Sequence, residues 1–242
     1  MGLIPKYKME QLKREKREAK AAKKRKVNTR DKIVRFLIVC EGVCTEPNYF
    51  KALVKDRYSE VRSEEIMGAG RSTCALVKKT DEIKTLLETQ RQLPFDRVWV
   101  VFDKDDFLDF NEAIALANKL GFHSAWTNEA FELWYLLHFT YIDTGVGRDD
   151  YIKKLEAEIR KHKSQKKFQY RKNDTEIYSL LKKYGDVTLA KEYALRLRKK
   201  FIGSQDFKSH IPCTTVDLLV EELENPEALF RLSRKGKDVY LY

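Results

Sequence analysis

Cysteine is scarce in this chain, and its placement excludes two common chemistries. Cys40, Cys44, Cys74 and Cys213 are the only four; they form no CxxC pair, and no histidine spacing completes a zinc site. None is assigned to a metal or a disulfide, and Cys40, which ends an apolar run, reads as a small buried hydrophobe. Long apolar runs are missing too. No stretch approaches the ~20 residues of a membrane span, and the charged N-terminus lacks the apolar segment of a signal peptide. Gly2 follows Met1, but position 6 is Lys rather than Ser or Thr, so the myristoylation pattern fails. The expectation is a cytoplasmic protein with no membrane partner. There is no internal repeat and no long Gly/Ser linker.

Acidic residues are outnumbered, 37 Asp and Glu against 48 Lys and Arg, for a formal charge of +11. That balance favours a polyanionic partner such as nucleic acid. Hydrophobic residues at 43% and aromatics at 12% allow a substantial core and exclude a disordered chain. A length of 242 residues suits one large domain, or one domain with a smaller helical lobe.

Residues 1–32 form a basic N-terminal arm. Its string KREKREAKAAKKRKVNTRDK is rich in helix formers but has no face to bury. It reads equally as a phosphate-tracking arm and as a solvated leader. Residues 33–140 then alternate between strand and helix signals. Val34 to Cys40 and Arg97 to Phe102 are short, continuous apolar runs, as fully buried parallel strands should be. Glu65 to Gly68 and Phe122 to Thr127 are weaker strand candidates. Thr45-Glu46-Pro47 can start a helix, with Thr45 as cap, Glu46 serving the helix N-terminus and Tyr49, Phe50, Leu53 and Val54 on its apolar face. Further helices are expected with Leu76, Val77, Ile83, Leu86 and Leu87 on one face, over Phe110 to Leu120, and over Glu129 to Phe139. The alternation predicts an α/β fold, a mostly parallel sheet with helices on both faces. From 141 to 242 the pattern turns helical, with segments at Tyr151–His162, Asp174–Tyr184, Val187–Phe201 and Thr215–Leu223. This C-terminal half is expected to pack on the sheet domain.

Open parallel sheets bind ligands outside the carboxyl ends of their strands. Glu41 sits there, directly after the first apolar run and before Gly42. Asp103-Lys104-Asp105-Asp106 sits at the end of the second. On an extended segment Asp103 and Asp105 project together, with Cα atoms about 6.6 Å apart, and Lys104 faces away. Two carboxylates at that spacing repel unless a cation lies between them. Mg²⁺ uses one or two carboxylates plus waters and phosphate oxygens, and Mn²⁺ is an alternative. Glu129 and Glu132, three apart on one helix, would share a face, and Glu132 among apolar neighbours needs a partner or a metal. His138 reads as a structural histidine.

The order of a Glu at one strand tip and DxD at a later one resembles the Toprim arrangement of topoisomerases, primases and several nucleases. More narrowly, FLIVCEGVCTEPNYF, VWVVFDKDDF and TNEAFELWYLLHF resemble the three motifs of RloB-like proteins, although the proline usual near Ala130 is absent. Lys172-Asn173-Asp174 and Ile211 to Val216 resemble that family's C-terminal half. The resemblance implies a Toprim-like domain in which Asp103 and Asp105 hold Mg²⁺ and Glu41 is a metal ligand or general acid–base. Glu132 and Lys172 join the catalytic set, Lys172 as a neutraliser of phosphate charge. It also implies a defence role, since RloB-like proteins are associated with bacterial restriction and phage-defence loci. An ATPase partner is implied as well, since the related abortive-infection protein AbiLii is paired with one. The expectation is therefore a Mg²⁺-dependent nuclease acting on RNA, tRNA included, or DNA. The alternatives are a non-catalytic metal- and nucleic-acid-binding subunit of an ATPase complex, or a basic nucleic-acid-binding protein with a structural acidic cluster. A homo-oligomer is compatible with each.

Overall fold

A computed structural model of the chain describes residues 10, 13–18, 34–57, 64–70, 73–104, 108–226 and 228. Residues 1–33 and the chain from Val34 onward are separate units. In the first, residues 13–18 are helical, and Arg14 pairs with Glu18 one turn on at 3.1 Å. Most of the expected basic arm lies outside the described residues.

In the second unit the apolar runs become β1 (Phe36–Cys40) and β3 (Arg97–Asp103), flanked by β2 (Glu64–Gly68) and β4 (His123–Thr127). The strands pair in parallel in the order β2-β1-β3-β4. Side chains alternate between two faces, as the period of a strand requires. Phe36, Ile38, Cys40, Trp99 and Val101 enter one core; Leu37, Val39, Val98, Val100 and Phe102 enter the other. Helix α1 (Thr45–Arg57) covers the first face with Tyr49, Phe50 and Leu53. Helices α2 (Thr73–Arg91) and α3 (Phe110–Lys119) cover the second with Leu76, Val77, Ala113 and Ile114. Leu86, expected on the apolar face of α2, is instead 56% exposed.

This order places a topological switch point between β1 and β3. The chain leaves β1 for β2 on one side and returns past it to β3 on the other, so the two connections diverge and open a crevice at the strands' carboxyl ends. That crevice lies between Glu41 and Asp103.

The described residues after β4 form the helices α4 (Glu132–Leu137), α5 (Arg148–Arg160), α6 (Ile177–Tyr184), α7 (Val187–Lys199) and α8 (Val216–Glu224). Trp134, Tyr151, Leu155, Ile177, Leu181, Leu197 and Leu219 join the same core as the α1 face. At roughly 1.5–3 kcal/mol for each large apolar side chain removed from water, this shared core ties the helical half to the sheet. No helix among the described residues is long and apolar enough to cross a membrane.

Several helix starts differ from expectation; α5, expected from Tyr151, begins at Arg148. Helix α4 begins at Glu132 rather than Glu129, because the Phe131 N–H donates to Asp103 Oδ2 at 3.0 Å and the Asn128 N–H to the Cys213 carbonyl at 2.8 Å. Glu129 stands before the helix at φ 82°, so it shares no helical face with Glu132. Helix α6 begins at Ile177, and the Asp174 carboxylate takes the Glu176 N–H at 2.8 Å just outside it. Thr45 does not cap α1; it is the first helical residue, and its hydroxyl donates to the Lys172 carbonyl at 2.8 Å.

Candidate functional site

At the crevice lies a cavity of ≈ 340 Å³, lined by Glu41, Glu46, Asp103, Glu132, Arg148 and Lys172 together with the 42–45 turn, Phe131 and Asn173. Two glycines shape its floor. A Cβ on Gly42 would lie 2.2 Å from Glu46 Oε2, so the missing side chain is what lets that carboxylate fold back against the turn. A Cβ on Gly68 would lie 2.4 Å from the Gly42 carbonyl oxygen, where the end of β2 packs against the same turn. The turn is held by main-chain bonds: Glu41 N–H to Val101 O at 2.8 Å, and Gly70 N–H to Glu41 O at 3.0 Å.

Asp103 ends β3 and is only 6% exposed. Its Oδ2 accepts from Phe131 N–H at 3.0 Å and faces Arg148 Nη2 at 3.4 Å. Its Oδ1 is buried with no hydrogen-bond partner among the described residues, and so is Glu46 Oε2. An unpaired buried polar atom costs about 1–3 kcal/mol, and more when charged. Burial, then the charges of Glu46 and Glu132, push the Asp103 carboxyl well above the usual range, against the opposing pull of Arg148. Burial also raises Glu46, with Glu132 adding to it and the main-chain N–H groups of Glu46 and Gly42 opposing. Three carboxylates thus converge on one guanidinium. Arg148 reaches Glu132 only at 3.9 Å. Glu132, itself 2% exposed, takes its close hydrogen bond from the Tyr170 hydroxyl at 3.0 Å.

The structure therefore brings together Glu41, Asp103, Glu132 and Lys172 of the expected set. Glu41 Oε2 accepts the Asp103 N–H at 3.2 Å, which fixes one acid to the backbone of the other. Lys172 is exposed at the rim. Asp105 lies outside the described residues. His138 stands apart from the cavity: it is 4% exposed, its Nδ1 lies 2.9 Å from the Trp134 carbonyl, and burial lowers its pKa to about 4. Sequence reasoning missed Glu46, Arg148 and Tyr170. Glu46 reads as a helix N-terminal anion, yet its carboxylate is a wall of the cavity. Its one sequence signal is Gly42, four residues earlier, which makes room for it.

Among the described residues no three His, Cys, Asp or Glu side chains are disposed to hold one ion. The donor set present is two unpartnered buried carboxylate oxygens beside a third acid, all hard oxygen. Mg²⁺ needs no more from a protein, since it keeps several waters and binds through one or two carboxylates. These carboxylates fit a hard divalent cation.

The fold and cavity define a class: an α/β protein with a buried acidic pocket at the switch point of a parallel sheet. Residues 36–223 match the family described as RloB-like protein. That match spans well over half of the chain, which belongs to the RloB-like family. No curated protein and no solved structure matched it.

Proposed function

We propose that this RloB-like chain is a Mg²⁺-dependent, Toprim-type nuclease that hydrolyses phosphodiesters of RNA, tRNA among them, or of DNA, in bacterial phage defence. The observation that carries this reading is the pair of buried, unpartnered oxygens, Asp103 Oδ1 and Glu46 Oε2, on residues lining one cavity. The parallel order β2-β1-β3-β4, with an acid at the tips of β1 and β3, supports the Toprim-like assignment. Asp103 and Glu46 would hold the ion, with Glu41 beside them and Asp105 kept in the set by its motif. When bound, such an ion polarises a phosphate oxygen and lowers the pKa of a water. Glu41, its Oε2 fixed by the Asp103 N–H, would accept the proton of the attacking water. Glu132, held by Tyr170, would keep Arg148 in the pocket. Lys172 at the rim would offset charge building on the phosphate.

The test is cleavage of mixed tRNA, single-stranded RNA and duplex DNA with Mg²⁺, Mn²⁺ or EDTA, by the wild type and by Glu41→Ala, Asp103→Ala and Glu46→Gln. The reading requires cleavage that depends on metal and falls at least ~100-fold in the first two variants, the scale of losing a proton-transfer group. A second reading is a non-catalytic metal- and nucleic-acid-binding subunit of an ATPase-containing defence complex. It is favoured by Arg148, which already supplies the pocket with a positive charge. Metal binding that Asp103→Ala abolishes, with no cleavage of any substrate, would select it.

A further inference from the structure

Several lysines on the described surface pair with a nearby acid, while others, Lys51, Lys55 and Lys78 among them, are exposed without an ion pair to a described carboxylate. Lys79 pairs with Glu82 at 2.9 Å, Lys182 with Asp56 at 2.6 Å, Lys200 with Asp143 at 3.2 Å and Lys161 with Glu158 at 2.6 Å. Just after Lys161 the acids run out. Between Glu158 and Asp174 the chain has no acidic residue, and Lys163, Lys166, Lys167, Arg171 and Lys172 are all exposed. None of the five forms an ion pair with a described carboxylate. Such a run of like charge repels itself and is ordinarily mobile. Here it is held down along its length. Arg160 Nε donates to the Phe168 carbonyl at 2.7 Å, the Tyr170 N–H to Glu156 Oε1 at 2.9 Å, and Ser164 Oγ lies 2.6 Å from the Tyr184 hydroxyl. At its far end the Tyr170 hydroxyl donates to Glu132 and Thr45 holds the Lys172 carbonyl, so the segment finishes on the wall of the acidic cavity.

We infer that residues 163–172 are a preformed strap that binds the sugar-phosphate backbone of a nucleic acid and leads it to the carboxylates. The acidic pocket by itself repels a polyanion; the strap supplies the missing attraction. Because it is already ordered, binding carries little of the usual ordering cost. A membrane surface fits less well. The segment's two aromatic residues, Phe168 and Tyr170, are turned into the core, which leaves no apolar group to enter a bilayer. The inference takes its ligand class from the nuclease reading, but binding without metal tests it separately.

The experiment measures the salt dependence of binding for the full chain in EDTA, by fluorescence anisotropy with labelled single-stranded RNA and labelled duplex DNA. The strap variant carries Lys163→Gln, Lys166→Gln, Lys167→Gln and Arg171→Gln. A control variant with the same change in net charge carries Lys79→Gln, Lys84→Gln, Lys153→Gln and Lys200→Gln. Each lost phosphate contact flattens the slope of log K against log salt by about 0.7–0.9. The strap variant should therefore lose up to about 2.8 of slope on single-stranded RNA and about 3.6 on duplex DNA, and the control less than about 1. Equal losses in the two variants, or no loss in either, would overturn the strap. So would a strap variant that keeps its nucleic-acid slope but loses binding to phosphatidylserine vesicles, which would make the segment a membrane contact. A strap-specific loss alongside absent metal-dependent cleavage would retain the strap and remove only the hydrolytic reading.

Discussion

Asp217 and Asp103 are equally buried, 6% exposed each, and each faces an arginine, yet the two sites are built to opposite standards. Arg198 grips Asp217 with both terminal nitrogens, one of them 2.7 Å from Oδ2, and also donates to the Thr214 carbonyl at 2.9 Å. One acid meets one base in a two-pronged geometry, and the pair locks α7 to the start of α8. At Asp103 the arginine stands 3.4 Å from one oxygen, is shared with a second acid at 3.9 Å, and leaves the other oxygen unpartnered among the described residues. The first arrangement spends its charges on holding the fold. The second holds three carboxylates beside one cation at a cost in stability, which is the usual mark of a site kept for a ligand. Substitutions should therefore separate the two sites in sign as well as size.

The largest effect is expected at the fold-holding pair. Asp217→Ala leaves Arg198, whose side chain is 18% exposed, short of its partner, and should cost about 3 kcal/mol in urea unfolding. The double replacement Asp217→Leu with Arg198→Met should recover most of that loss, because two apolar groups need no partner. If the double variant is no more stable than the single one, the pair does more than neutralise itself and the comparison fails.

Next in size is a pH effect from His138. Its folded pKa is about 4 while an unfolded histidine titrates near ~6.5, so the unfolded chain binds more protons between those values. Stability is fully present above ~6.5 and should fall by about 3 kcal/mol as pH drops to 4. The raised carboxyls of Asp103 and Glu46 act in the other direction, since protonating them relieves their burial and repulsion as pH falls. His138→Asn keeps a donor for the Trp134 carbonyl and removes the titration. Urea midpoints at neutral and mildly acid pH should then lie closer together than in the wild type. An unchanged gap would assign the acid sensitivity elsewhere.

The two sites also differ in how much the bare sequence discloses. The strand tips are legible, because continuous apolar runs such as FLIVC and VWVVF read as fully buried parallel strands, and the polar residue that follows each then sits at a strand's carboxyl end. Glu41 and Asp103 emerge from that alone. The parts contributed by tertiary closure were not legible. Arg148 lies 45 residues from Asp103 and Tyr170 lies 38 from Glu132, with no periodic signal linking them. Glu46 was visible but misread, since an acid in the first turn of a helix is ordinarily explained by the helix itself. The start of α4 was misplaced for a related reason. A propensity reading cannot know that the Phe131 N–H is already taken by a carboxylate from another strand.

A smaller stability change, with the larger functional one, is expected at Asp103. Asp103→Asn keeps an oxygen for the Phe131 N–H and removes a charge that burial and two neighbouring acids oppose. Stability should stay level or rise by about 1 kcal/mol. If the pocket holds a divalent cation as proposed, Mg²⁺ or Mn²⁺ should raise the melting temperature of the wild type and not that of the variant. If the variant instead loses several kcal/mol, as Asp217→Ala should, Asp103 is a structural partner of Arg148 and the contrast between the sites collapses.

The smallest stability effect should come from Gly42→Ala, and it sharpens the contrast at a single atom. A Cβ there meets Glu46 Oε2 at 2.2 Å, but the obstacle is the end of a flexible side chain rather than backbone. The cheap response is for Glu46 to swing out of the cavity. The fold should then lose less than about 1 kcal/mol, since a buried carboxylate with an unpartnered oxygen gains water as it leaves. Divalent-cation binding should weaken as in Glu46→Gln, and combining the two substitutions should add nothing further. Additive losses would mean that Gly42 serves the turn and not Glu46. Gly68→Ala is the matched control: its Cβ would lie 2.4 Å from the Gly42 carbonyl oxygen and from the Val43 Cα, both main-chain atoms that cannot rotate aside. It should cost stability outright, so only Gly42→Ala can impair the pocket while leaving the fold in place.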